Sequence, residues 1–75
     1  MYSLAEENYI KAIFHLQQTK SGAVSTNAIA VSMDTKASSA TDMVQKLADK
    51  KVLSYVKYKG AQLTEKGKKI ATRIV

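Results

Sequence analysis

Apolar positions recur with a helical period along most of this chain and change to a strand-like pattern near residue 52. Tyr9, Ile13 and Leu16, with Ile10 and Phe14 beside them, fall on one face of a helix predicted over residues 3–18, which also carries the apolar Leu4. Ser3 stands where an N-cap is wanted, and Glu6 and Glu7 put negative charge at the positive end of the helix dipole. The turn-forming run Thr19-Lys20-Ser21-Gly22 ends the pattern. A short second helix follows, with Ser25 or Thr26 as N-cap and Ala28, Ile29 and Met33 as its small and apolar positions. Asp34 and Thr35 interrupt it. A third helix is predicted from about Ala37 to Lys50, where Ala40, Met43, Val44 and Leu47 keep the i, i+3, i+4, i+7 spacing of a buried stripe. Thr35 is chemically the better cap for it than Lys36. Its other face holds Ser38, Asp42, Gln45, Lys46 and Asp49, all polar.

Beyond Lys50-Lys51 the segment Val52-Leu53-Ser54-Tyr55-Val56 is β-branched and aromatic, and reads as a strand. Ala61-Gln62-Leu63 is its expected partner, joined through Lys57-Tyr58-Lys59-Gly60, with Gly60 supplying a positive φ. Thr64 then caps a last helix that carries Ile70, Ala71 and Ile74 on one face. Gly67 in its first turn permits close packing. No stop signal precedes Val75, so the helix is expected to run on into a further domain. The order helix, helix, helix, strand, strand, helix is that of a mainly α winged helix-turn-helix with a small β-hairpin. All 75 residues form one unit.

Charge sharpens this picture. In residues 1–34, Glu6, Glu7 and Asp34 stand against Lys11 and Lys20, a sum of −1. In residues 35–75, ten basic side chains stand against Asp42, Asp49 and Glu65, a sum of +7. So one-sided a basic field suits a polyanion. Without cysteine, disulfides and thiolate metal sites are excluded. No apolar run approaches the roughly 18 residues of a membrane span, and no leader-like segment opens the chain, so a cytoplasmic protein is expected.

The functional constellation lies in helices two and three. A capped two-turn helix, a break at Met33-Asp34-Thr35-Lys36, and a longer helix with a polar outer face make a helix-turn-helix. The major groove, about 12 Å wide, admits one helix. Ser38, Ser39, Asp42 and Gln45 are the candidate base readers: Gln45 can pair with adenine, and Asp42 can accept from cytosine N4. Lys36 and Lys46 are candidate phosphate contacts, and Lys57 and Lys59 flank Tyr58 on a hairpin placed to grip the backbone. A solvated face is the competing reading, and a winged-helix protein-interaction module without DNA affinity stays open as the alternative. Tyr55 and Tyr58 could also stack on single-stranded bases. No catalytic set is present: His15 has only Lys11 and Thr19 at i±4, and Ser38 and Ser39 lack a base at motif spacing, so no enzyme is expected.

The chain also resembles a known family. Glu7-Asn8-Tyr9-Ile10-Lys11-Ala12-Ile13 is similar to the opening helix of the iron- and manganese-dependent repressors, the diphtheria-toxin-repressor and manganese-transport-regulator group. Val24 to Ala30 resembles the start of that family's second helix, and Ser39 to Leu47 its recognition helix. Tyr58-Lys59-Gly60-Ala61-Gln62-Leu63-Thr64-Glu65-Lys66-Gly67 resembles its wing and the turn after it. The resemblance implies the operator-reading domain of a metal-responsive repressor, bound as a homodimer to palindromic double-stranded DNA. It implies manganese or iron as the full-length protein's cofactor, and a dimerisation and metal-sensing domain beyond residue 75. It also implies a metal ligand from the first helix at the position of Asn8 and, in some members, of Lys11. Here those positions carry an amide and an ammonium, so no metal is expected on this segment.

Overall fold

Four helices and one hairpin appear in a computed structural model that describes residues 2–19, 22–56 and 59–74. Helix α1 spans Leu4–Thr19, α2 Thr26–Met33, α3 Ala37–Asp49 and α4 Glu65–Ile74; strand β1 is Leu53–Val56 and β2 is Gly60–Leu63. The winged helix-turn-helix expected from the apolar pattern is the observed fold.

Helix α1 opens with a capping box. Glu6 N–H donates to Ser3 Oγ at 3.1 Å, and Ser3 N–H donates back to Glu6 Oε1 at 2.9 Å, satisfying two otherwise free donors. Tyr9, Ile10 and Ile13 form its buried face. Leu4 does not join that face. At 74% exposure it projects from the first turn on the side of the helix away from the stripe that Tyr9 and Ile13 define.

Helix α2 is capped by Ser25, whose side chain accepts from Ala28 N–H at 3.1 Å. It ends in a left-handed residue, Asp34 (φ 54°, ψ 50°), with Asp34 N–H bonded to the Val31 carbonyl and Thr35 N–H to that of Ala30. This is a Schellman closure made with aspartate, one of the few non-glycine residues that tolerate the left-handed region. Lys36, not the expected Thr35, occupies the N-cap of α3, and it makes no side-chain capping bond. Thr35 is drawn into the α2 closure instead.

Helix α3 buries Ala40, Val44 and Leu47 and touches both α2 and β1. It closes in the same way as α2, through Lys51 at φ 69°, with Val52 N–H to Leu47 O at 3.2 Å and Lys51 N–H to Ala48 O at 3.0 Å. Leu47 and Val52, the apolar pair flanking that closure, are both fully buried.

The hairpin pairs Leu53 with Leu63, Ser54 with Gln62, Tyr55 with Ala61 and Val56 with Gly60. Val24 extends this sheet: its N–H and carbonyl exchange two 2.8 Å bonds with Ala61, so the residue before the α2 cap is a bridge against β2. Gly60 makes this approach feasible, since a β-carbon there would lie 2.5 Å from the Val24 carbonyl oxygen. Gly67 performs a similar service for α4, where a β-carbon would meet the Val52 carbonyl oxygen at 2.2 Å. Thr64 caps that helix, accepting from Gly67 N–H at 3.2 Å while its hydroxyl donates to the Lys51 carbonyl at 2.7 Å.

Ile10, Ile13, Ile29, Val44, Leu47 and Val52 form the centre of one core, each with no exposed surface. Burial of such a side chain is worth roughly 1.5–3 kcal/mol, so this shared centre is what holds the short elements in register.

Candidate nucleic-acid interface

The i, i+4, i+7 burial of Ala40, Val44 and Leu47 fixes the rotation of α3 about its axis. Every other side chain follows from it. Ser38, Ser39, Asp42, Gln45 and Lys46 are all exposed, as is Lys36 at the N-cap. Thr41, half-buried, turns its hydroxyl back to the Ala37 carbonyl at 2.9 Å and is not free to reach outward. What α3 offers to solvent is therefore a row of short polar side chains opening on Lys36 and carrying Lys46 nearer its end. Short side chains matter because the helix axis must approach base edges closely in a groove about 12 Å wide.

The wing is positioned by the sheet. Lys59 is exposed and stands immediately before β2, its N–H donating to the Val56 carbonyl at 3.0 Å. It lines a shallow concavity with Tyr55, Gly60, Ser25 and Thr26, so the hairpin end lies beside the first turn of α2. The Val24–Ala61 bridge holds those two parts together. Lys57, the other cation expected on the wing, and Tyr58 lie outside the described residues. Of the remaining tyrosines, Tyr9 is buried and Tyr2 and Tyr55 are half-buried. His15 is exposed and meets Phe14 edge-on, with ring centroids 6.0 Å apart.

One polar group behind the interface escaped the sequence pattern. Glu6, in the first turn of α1, is 3% exposed. Its Oε2 lies 2.5 Å from the Nζ of Lys50, the residue that ends α3. The Lys50 ammonium also sits 5.2 Å from the centroid of the Tyr2 ring. The ammonium bond, then the Ser3 N–H, hold the Glu6 carboxyl at about 2 against an ordinary 4.5, although burial acts the other way. This is the one ion pair among the described residues, and it joins two elements 44 positions apart. Gln17 makes a second such link, its Oε1 accepting from Leu63 N–H at 2.9 Å and tying α1 to β2.

Among the described residues no three histidine, aspartate or glutamate side chains are grouped to hold a metal ion, and no helix is long and apolar enough to cross a membrane. A buried helix-turn-helix seam, an exposed polar reader face and a hairpin beside α2 define a DNA-binding winged-helix domain. The family described as iron dependent repressor, N-terminal DNA binding domain, matches residues 1–61. The HTH-type transcriptional regulator MntR of Oceanobacillus iheyensis (strain DSM 14371 / CIP 107618 / JCM 11309 / KCTC 3954 / HTE831) is 48% identical over 69 residues, 92% of this chain and 46% of that protein. The MntR regulator of Bacillus subtilis (strain 168) is 45% identical over 69 residues, covering 92% of this chain and 48% of that protein. Among solved structures, that of the manganese regulator SloR is similar with a TM-score of 0.72 and 31% identity, over 89% of this chain and 31% of that one. The chain belongs to the iron-dependent repressor family and is a DNA-binding domain of its transcriptional regulators, which are not enzymes. It spans about half the length of the curated relatives it matches.

Proposed function

We propose that this domain reads an operator sequence in duplex DNA, with α3 in the major groove. Ser38, Ser39, Asp42 and Gln45 contact base edges, Lys36 and Lys46 hold phosphates, and Lys57 and Lys59 grip the backbone from the wing. The observation that carries this reading is the rotation of α3: Ala40, Val44 and Leu47 are fully buried while every proposed contact residue on that helix is exposed. The excess of positive charge in residues 35–75 supports it, because phosphate neutralisation supplies the sequence-independent part of the affinity.

The regulator to which the domain belongs acts in the cytoplasm as a homodimer on a palindromic operator, with manganese or iron as its effector. Its similarity to the MntR regulator and to the manganese regulator SloR supports the metal. Residues 1–75 are the DNA-binding unit, and metal sensing and dimerisation reside in the remainder of such a protein.

Selection of bound sequences from a random duplex pool at moderate salt tests the reading. Enrichment of a consensus half-site is the expected result. Salt-independent capture of all duplexes alike, or none, overturns it in favour of a protein-interaction module.

A further inference from the structure

Family membership implies a divalent metal, and the resemblance places part of its ligand set on α1. The donors on this helix do not fit. A divalent cation of the manganese or iron class needs carboxylate or imidazole donors that are free to turn toward it and that offset its charge. Both oxygens of Glu6 are already engaged, Oε1 by Ser3 N–H and Oε2 by Lys50. Asn8 offers only a neutral amide. Lys11, exposed on the same face one turn later, has no lone pair in its ammonium form and repels a cation. His15 continues that face with a single imidazole and no carboxylate at i±4.

The same structure shows what orders α1 in place of a metal. Lys50 closes α3 and reaches across to Glu6, with Tyr2 against the ammonium and Ser3 on the other carboxylate oxygen. Glu6 is almost wholly buried while the Lys50 side chain stays 39% exposed, so the bond is screened less than a pair exposed at both ends. The reader helix is thereby tied to the first turn of α1 by a cation the chain carries itself.

We propose that α1 of this protein supplies no ligand to a divalent cation, and that the Glu6–Lys50 bond sets its position against α3, so that the domain keeps its DNA-reading shape without metal. The shape claim rests on the duplex-binding reading above; the ligand claim does not. Any metal held elsewhere in the protein acts on this domain without a ligand from α1.

The test uses manganese(II) chloride, whose paramagnetism broadens nearby amide signals in nuclear magnetic resonance even when binding is weak. No selective broadening at residues 6–15 is expected for the native chain. The Asn8→Asp/Lys11→Glu variant, which restores carboxylates on that face, is expected to gain it. Selective broadening in the native chain, or none in the variant, overturns the ligand claim. Duplex affinity is then compared in chelator and in manganese. Equal affinity is expected, and affinity seen only with manganese overturns the shape claim. Duplex binding in neither condition sinks the operator reading and leaves the broadening result to decide the ligand claim. Lys50→Met is expected to lose duplex affinity severalfold and to shift α1 amide signals, with Lys50→Arg close to native. Where Lys50→Met fails to fold, the Glu6→Gln/Lys50→Met pair, free of the unpaired carboxylate, is the readout. Unchanged α1 signals in either variant contradict the tie.

Discussion

The carbonyl oxygen of Val24 occupies the space that a β-carbon on residue 60 would need, 2.5 Å from it, and residue 60 is a glycine at φ 108°. That single approach couples the wing to the entry of α2. Val24 bonds to Ala61 on one side and precedes the Ser25 cap on the other. Gly60→Ala must strain the backbone and also push the Val24 carbonyl away. We expect a loss of about 2 kcal/mol or more, above the usual cost of an alanine at positive φ. Gly22 is the control, with φ 97° and open space around it, so Gly22→Ala should cost only the backbone strain. Thermal unfolding of the two variants compares them, and equal losses would mean that the Val24 contact carries no weight.

Lys36 sits at a helix N-cap without making a capping bond. Serine is among the best residues there, and Lys36→Ser should stabilise the domain by about 1 kcal/mol. The same change removes a proposed phosphate contact, so duplex affinity should fall on all sequences alike. Stability and affinity moving in opposite directions is the expected signature. A variant that is more stable and binds as well as the native chain shows that Lys36 does not touch DNA.

The Glu6 carboxyl, lowered to about 2 mainly by the Lys50 bond, gives a pH dependence of definite sign. Its contribution to stability is complete above the unfolded value of 4.5 and is lost as pH falls from there toward 2. Lys50→Met leaves a carboxylate buried without its cation, at a cost of roughly 1–3 kcal/mol near neutrality. The variant should therefore lose less on acidification than the native domain does. Denaturant unfolding at several pH values checks this, and parallel curves for the two proteins would deny the pair its role.

On the reader face, Gln45→Ala should change the preferred sequence, costing about 1–3 kcal/mol on the best site and little on others. Lys59→Gln should instead weaken binding uniformly and lower the log–log salt slope by about one unit. Competition assays across salt concentrations separate the two behaviours. Reversed outcomes would exchange the roles of helix and wing.

Much of this architecture was legible because the apolar period is local. The stripe Ala40-Val44-Leu47 predicts both the helix and its exposed flank, and Ser3, Ser25 and Thr64 announce three of the four helix starts. What stayed hidden was non-local or against type. Asp34 and Lys51 end their helices in the left-handed region without glycine, so composition gives no stop signal. The bridge from Val24 to Ala61 and the bond from Glu6 to Lys50 join residues far apart in the chain, and a single sequence holds no record of such pairings. Leu4 is large and apolar, and its angular position, off the face of Tyr9, Ile13 and Leu16, leaves it in water. For the site, the chain's pattern marked which α3 residues are outside, and the coordinates agree on each of them.

Amide chemical-shift mapping during titration with a duplex drawn from the selected pool addresses the α3 reading directly. Shifts should cluster on Lys36, Ser38, Ser39, Asp42, Gln45 and Lys46, with a second group at Lys59, while α4 stays unmoved. Shifts confined to α1 or α4, with the outer flank of α3 unchanged, would contradict it.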